Sequence, residues 1–348
     1  MFVAGFDYSF GRTNYGARAD IRVKMLLQRN VAREDITFTI LDCGAGVIRR
    51  HEFTYAGGKR TETVTTVAEF AVPTKAMYEP FDTHSGRHYR LKDQQKNLIA
   101  PPKIYETVRE IGRTAPGTLL ELSFFGHGYE YGPVLYNSRD DGKVVLPFVG
   151  EIGIPSVLRD PDDFDPRPKD FNPALMNEAQ TKEFRAAFHP DGYSWLWGCA
   201  SPPTIHQILT AIERHQNYKS SGVGDEVVFT FRGFNDIQVG VLNSWIGNEA
   251  GQVFDKSSVS VEFKYLKHMF RKLSSVGYAQ NLAWTSGVRT YAALVPTYSV
   301  PEGAGRLSRI DPSGSSHIRF YQNYLGVTLD PEGRNFGVYE PRFELKEP

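Results

Sequence analysis

Two stretches of the 348-residue chain end in side chains suited to acyl transfer. Residues 119–128 form an apolar run that stops at Gly126-His127-Gly128, and residues 193–200 form an aromatic run that stops at Gly198-Cys199-Ala200. Each run has strand length and breaks at a glycine. An imidazole beside a thiol is the minimum for nucleophilic attack on a carbonyl: the thiolate attacks, and the imidazole takes and returns the proton. Reacting groups in an open α/β sheet gather beyond the carboxyl ends of parallel strands, so two such strands would bring His127 to Cys199. A tetrahedral intermediate needs two donors at its oxygen. The backbone N–H of Gly128, which no side chain covers, and that of Cys199 are the candidates for this oxyanion hole. Glu121, Ser123 or a backbone carbonyl are the alternatives for orienting His127, and the sequence leaves all three open.

The segments around these runs have the pattern needed to place them. Residues 36–43 and 47–55, separated by Gly44-Ala45-Gly46, predict a β-hairpin, and residues 61–72 a further Thr/Val-rich strand. Pro101-Pro102 opens a helix over 103–113, with Ile104, Val108 and Ile111 on one face. Short strands are expected at 134–136 and 144–149, a helix at 177–188, and another from 203 to 217 with Ile205, Ile208, Leu209 and Ile212 on one side. Beyond these come a strand at 227–231, an amphipathic helix at 261–273, a helix at 278–284 and a buried strand at 288–295. Strand, loop, helix, strand between the histidine and the cysteine suits a parallel crossover.

A hydrophobic strand ending in His-Gly, followed later by one ending in Gly-Cys with a helix after it, resembles the caspase-like cysteine peptidases (clan CD). The match rests on His127-Gly128 and Gly198-Cys199 and covers about the middle third. The Gln-Ala-Cys-x-Gly signature of animal caspases is absent, so the likeness is to bacterial members. The resemblance implies an α/β fold, a caspase-like three-layer sandwich with a central, mostly parallel sheet, helices on both faces and added β elements. It implies peptide-bond hydrolysis by Cys199 with His127 as acid/base, and a substrate-pocket wall at Thr297-Tyr298-Ser299. The organisation expected is an N-terminal extension over 1–34, a peptidase domain over 35–299 and an irregular C-terminal extension over 300–348.

Other residues carry simpler readings. Cys43, at a hairpin turn, reads as structural. His206, seven residues beyond the cysteine, reads as a surface or packing residue. The acidic, proline-rich loop over 160–170 reads as solvated, against a lid or a self-cleavage site after Arg159, Arg167 or Lys169. The segment 82–87 reads as a loop, and the Tyr and Trp residues of 193–197 as core.

Composition bounds the partners. Forty basic and forty acidic residues cancel, which gives no support for nucleic acid or an anionic membrane surface. No basic n-region with an apolar h-region opens the chain, and no stretch approaches the roughly 20 apolar residues of a membrane span. With two cysteines, one of them the proposed nucleophile, free thiols and a cytoplasmic, reducing compartment are expected. Neither His-Glu-x-x-His nor Cys-x-x-Cys occurs, and a Walker loop and a dinucleotide fingerprint are missing, so no metal and no cofactor are expected. A protein or peptide substrate is the expected partner, with any activating partner unknown. The competing reading is a catalytically inactive caspase-like scaffold or interaction module.

Overall fold

The runs that end at His127 and Cys199 are neighbouring strands of one sheet. The computed structural model describes residues 1–11, 13–81, 89–129, 131–146, 150–153, 158–171, 175–303, 306–342, 344–345 and 348. The main sheet comprises β1 (Phe2–Ala4), β2 (Ile36–Asp42), β3 (Val47–Ala56), β4 (Lys59–Glu69), β5 (Leu119–Phe125), β6 (Phe188–Leu196), β7 (Arg289–Ala292) and β8 (Gly337–Tyr339). Their spatial order is β8-β7-β6-β5-β1-β2-β3-β4. The five central strands β7, β6, β5, β1 and β2 are mutually parallel. The β2–β3–β4 meander and β8 add antiparallel edges. The segments 82–87 and 147–149 of the expected elements lie outside the described residues.

Helices cover both faces. On one side α1 (Tyr15–Arg29) is started by Asn14, whose side chain accepts the Ala17 N–H, and its Arg22 guanidinium lies 5.5 Å above both Trp195 and Trp197. Phe336 packs edge-on to the same two indoles. Alternation along a strand sends Phe124 to the opposite face, where it meets Tyr278 at 5.9 Å. That face carries α2 (Pro101–Thr114), α3 (Glu178–Ala186) and, further along the chain, α6 (Phe263–Val276) and α7 (Tyr278–Ser286). Tyr105 of α2 and Phe184 of α3 meet there at 5.9 Å. The result is a mixed α/β, three-layer arrangement with a large, mostly parallel central sheet. Between β6 and β7 the chain also forms α4 (Pro203–Arg214) and α5 (Asp236–Leu242), and α8 (Ser315–Phe320) follows later.

Three expectations need correction. Residues 1–34 are not an extension, because β1 lies between β2 and β5 with Phe2, Val3 and Ala4 fully buried. The C-terminal segment likewise contributes an edge strand, β8, and the buried Phe336, rather than merely coating the core. The acidic loop is not solvated. Asp160, Asp163, Asp165 and Asp170 are all buried. Arg159 reaches Asp170 and the carbonyls of Asp163 and Asp165, while Arg167 Nε lies 3.2 Å from Asp163. Asp165 accepts the backbone N–H groups of Leu135 and Tyr136 at 2.6 and 2.7 Å, of Asn137 at 3.3 Å and of Ser138 at 2.6 Å. A carboxylate that satisfies four backbone donors and has arginines beside it can be buried. Burial still pushes Asp163 up to about 7.

Glu121 has a structural task. Its carboxylate receives Arg22 Nε at 3.0 Å and Nη2 at 2.9 Å, and also Ser123 Oγ and Tyr193 Oη. Both partners of this ion pair are buried. Arg22 also meets Glu332 at 2.8 Å, so truncating Glu121 removes one of two carboxylates rather than stranding the charge, a loss of charged hydrogen bonds that costs about 1.5–3 kcal/mol. Glu121→Ala should therefore lower the free energy of unfolding by that amount in urea titration, whereas Glu121→Gln, which keeps an acceptor, should lose less. Equal stability of Glu121→Ala and the parent would show the pair to be idle.

Candidate active site

His127 follows β5 across Gly126 and opens a short hairpin, His127–Tyr129 pairing with Gly132–Val134. Cys199 follows β6 by three residues and precedes α4, whose first turn begins at Pro203. The two loops interlock through glycine. A β-carbon on Gly198 would lie 2.9 Å from both the Gly128 nitrogen and the His127 carbonyl oxygen, and one on Gly128 would lie 2.5 Å from the Cys199 carbonyl oxygen. Real β-carbons do not approach so closely, so only glycine at both positions lets the two backbones meet. A side chain at Gly128 thus meets the cysteine's own backbone, and a substitution there displaces Cys199 together with the Gly128 N–H. Among the described residues the Cys199 N–H has no hydrogen-bond acceptor.

The histidine is oriented by a residue that the sequence alone did not suggest. His127 Nε2 lies 3.3 Å from Asp7 Oδ1, while Glu121 and Ser123, two of the sequence candidates, are engaged with Arg22 and with each other. Asp7 sits just past the carboxyl end of β1, the strand beside β5. Burial pushes its carboxyl upward, but hydrogen bonds from His127, Ser9 and the Thr13 N–H outweigh this and hold it well below the usual carboxylate range. An ionised carboxylate only accepts, so the proton on Nε2 belongs to His127 and Nδ1 is left free as a base. The imidazole packs against Tyr8, with centroids 4.6 Å apart, and edge-on to Tyr15 at 5.6 Å. Tyr8 Oη in turn lies 3.3 Å from Tyr129 Oη.

Cys199 is half-buried and Cys43 fully buried. Burial pushes the Cys43 thiol up to about 12. The Cys199 sulfur instead accepts the Ser299 N–H at 3.3 Å. The same sulfur lies 3.6 Å from the Ser299 carbonyl oxygen, to which the thiol can donate. Of the three residues expected to wall a pocket, Ser299 thus touches the sulfur, and Thr297 and Tyr298 lead into it. The Thr297 carbonyl accepts the Ala200 N–H at 3.0 Å, Ser299 Oγ donates to the Trp197 carbonyl at 3.0 Å, and Tyr298 is exposed. No hydrogen bond among the described residues joins His127 to Cys199. Such contacts are often long before substrate binds and tighten in the complex.

Two cavities adjoin the site. A small one of about 30 Å³ touches Gly128 and Cys199 and is walled by Ala279, Ala292 and Ala293. A cleft of about 400 Å³ on the histidine side is lined by Asp7, Phe10, Thr13 and Tyr15. A third cavity, about 940 Å³, lies at the amino ends of the strands against Met1, Phe38 and Leu119, away from this chemistry. Among the described residues no cluster of three or more His, Cys, Asp or Glu is arranged to hold a metal ion, and no helix is long and apolar enough to cross a membrane. No protein-family model, curated protein or solved structure matches this chain, and the geometry of the site is the ground on which its chemistry rests.

Proposed function

We propose that the protein is a caspase-like cysteine endopeptidase. The observation that carries this reading is the arrival of His127 and Cys199 at the carboxyl ends of adjacent parallel strands, with their loops in backbone contact through Gly128 and Gly198. His127 Nδ1 takes the thiol proton of Cys199, the thiolate attacks the scissile carbonyl, and the oxyanion is met by the N–H groups of Gly128 and Cys199. His127 gives its proton to the leaving amine, which departs and leaves a thioester on Cys199. Water then attacks the thioester carbon as His127 takes its proton; the thiolate departs and the carboxylic acid is released. Asp7 holds the imidazole and stabilises its cationic form. The segment Thr297–Ser299, which touches the sulfur, and the cleft lined by Asp7, the partner of His127, offer binding ground for a peptide.

The rival reading, an inactive scaffold of the same fold, has no need of a reactive thiol. At pH 7 iodoacetamide should label Cys199 at least about a hundredfold faster than Cys43, since burial keeps the Cys43 thiol protonated. A peptide library should then show cleavage by the unlabelled protein and none after labelling. Equal labelling of the two cysteines, with no cleavage of any peptide, would favour the scaffold.

A further inference from the structure

One edge of the main sheet is long and uncovered. β4 is 11 residues long and exposed along almost its whole length, and among the described residues nothing pairs with its outer side. An unpaired edge is a template for another strand, and proteins commonly guard it with a proline, a central charge or a short length. β4 has no proline, and its run Thr63-Val64-Thr65-Thr66-Val67-Ala68 is uncharged, with Val64 and Val67 53% and 50% exposed. The opposite edge, β8, has only three residues.

The turn before β4 fixes which groups this edge offers. Gly57 and Gly58, at φ of 57° and 77°, join Ala56 to Lys59 in a two-residue hairpin. The closing pair bonds inward, so Lys59, Thr61, Thr63 and Thr65 are spent on β3, while Arg60, Glu62, Val64 and Thr66 turn N–H and C=O outward. A bulge then leaves Val67 between the Arg49–Thr66 and Ile48–Ala68 pairs. The Phe70 N–H returns inward to the Gly46 carbonyl at 2.7 Å, so Glu69 is the next residue to face outward. The side chains of Arg60, Glu62 and Glu69 share one face: Arg60 lies 5.5 Å over the Phe53 ring, Glu62 Oε1 meets His51 Nδ1 at 2.9 Å, and Glu69 pairs with Val47. Among the described residues neither Arg60 nor Glu69 has an ion-pair partner.

We propose that β4 is the interface of a two-fold homodimer, in which the edges of two copies pair antiparallel about Val64. In that register Val64 faces Val64 of the second copy and Glu62 faces Thr66. Arg60, with the bulge counted as one step, faces Glu69. Every pair then has outward groups on both sides, and the two Arg60–Glu69 contacts match opposite charges at the two ends. Parallel pairing would set Arg60 on Arg60 and Glu69 on Glu69. The two-fold uses up the edge that forms it, so assembly stops at two copies. Eleven residues of strand give an interface about 36 Å long and small in area, so monomer and dimer exchange at micromolar concentration. The dimer does not depend on the peptidase reading.

Sedimentation velocity of the full chain from about 1 to 200 µM should show monomer passing to dimer and nothing larger. Over that range amide exchange should slow at Glu62, Val64 and Thr66, and stay constant at Thr61, Thr63 and Thr65, which already bond to β3. Arg60→Glu or Glu69→Arg alone should weaken the dimer at least about tenfold, because the two-fold repeats each repulsion. Mixing the two variants, or making both changes in one chain, should restore it, with circular dichroism melts showing each variant folded. A chain that stays monomeric throughout overturns the proposal. So does a dimer that keeps its strength in both single variants, that the paired changes fail to restore, or that leaves the Val64 amide unprotected. Protection of that amide in a monomer, only when a peptide is added, would give the edge to a peptide ligand and equally overturn the dimer.

Discussion

Cys199→Ala is expected to abolish peptide hydrolysis, by about 10⁴-fold or more, while leaving the fold in place. The substitution removes one half-buried sulfur whose hydrogen-bond donor from the backbone is the Ser299 N–H at 3.3 Å, so the stability change should stay near the ~0.5 kcal/mol typical of such positions. His127→Ala should lose as much, and the double variant no more than either single one, because base and nucleophile act as a unit. In His127→Ala the Asp7 carboxylate keeps the donors of Ser9 and Thr13, so its burial remains compensated. Initial rates on the best library peptide, with circular dichroism melts of each variant, are the measurements. Undiminished turnover in Cys199→Ala would end the nucleophile assignment. A double variant that loses the product of the two single losses would show His127 and Cys199 working independently.

The parts of this site that lie on long periodic segments were legible in the sequence. The apolar runs into His127 and Cys199 have the length and abrupt glycine stops of buried parallel strands, and the helices after Pro101, Asn177 and Pro202 carry their starting signals in the chain. The choice of Thr297 to Ser299 came from the family resemblance, and the structure sets Ser299 against the Cys199 sulfur. Asp7 was illegible for a physical reason: β1 is three residues long, too short for any period to show, and its place in mid-sheet is decided by pairing with strands about 38 and 121 residues away along the chain. β8 hides in the same way. The loop over 160–170 misled for the opposite reason. Its composition is that of a solvated turn, and only the tertiary fold reveals that Asp165 is spent on the backbone of 135–138 and that Arg159 and Arg167 neutralise its neighbours.

Asp7→Asn should keep the fold and lower kcat on the order of 10²–10⁴-fold with KM nearly unchanged. The carboxamide has the shape of the carboxylate but a single oxygen: in the place of Oδ2 it still accepts the Thr13 N–H, while its NH₂ then stands where Oδ1 accepted from Ser9 and faced His127. What is lost is a full negative charge 3.3 Å from His127 Nε2, held by its hydrogen bonds in the ionised form far below neutral pH. That charge fixes the tautomer with Nδ1 free and stabilises the imidazolium formed as the proton moves. An amide that turns its NH₂ toward Nε2 selects the wrong tautomer and stabilises no cation. Asp7 also contributes stability, because a carboxyl with a depressed folded value favours the folded state above its unfolded value near 3.9, a contribution lost as pH falls through the folded one. Asp7→Asn should accordingly melt lower at pH 7, with the gap to the parent closing as the pH is brought down. Kinetics and melting together separate the two roles. A variant with a lower melting temperature but parental kcat at 20 °C would make Asp7 a purely structural cap, and the orientation of His127 would then have to come from its packing against Tyr8 and Tyr15.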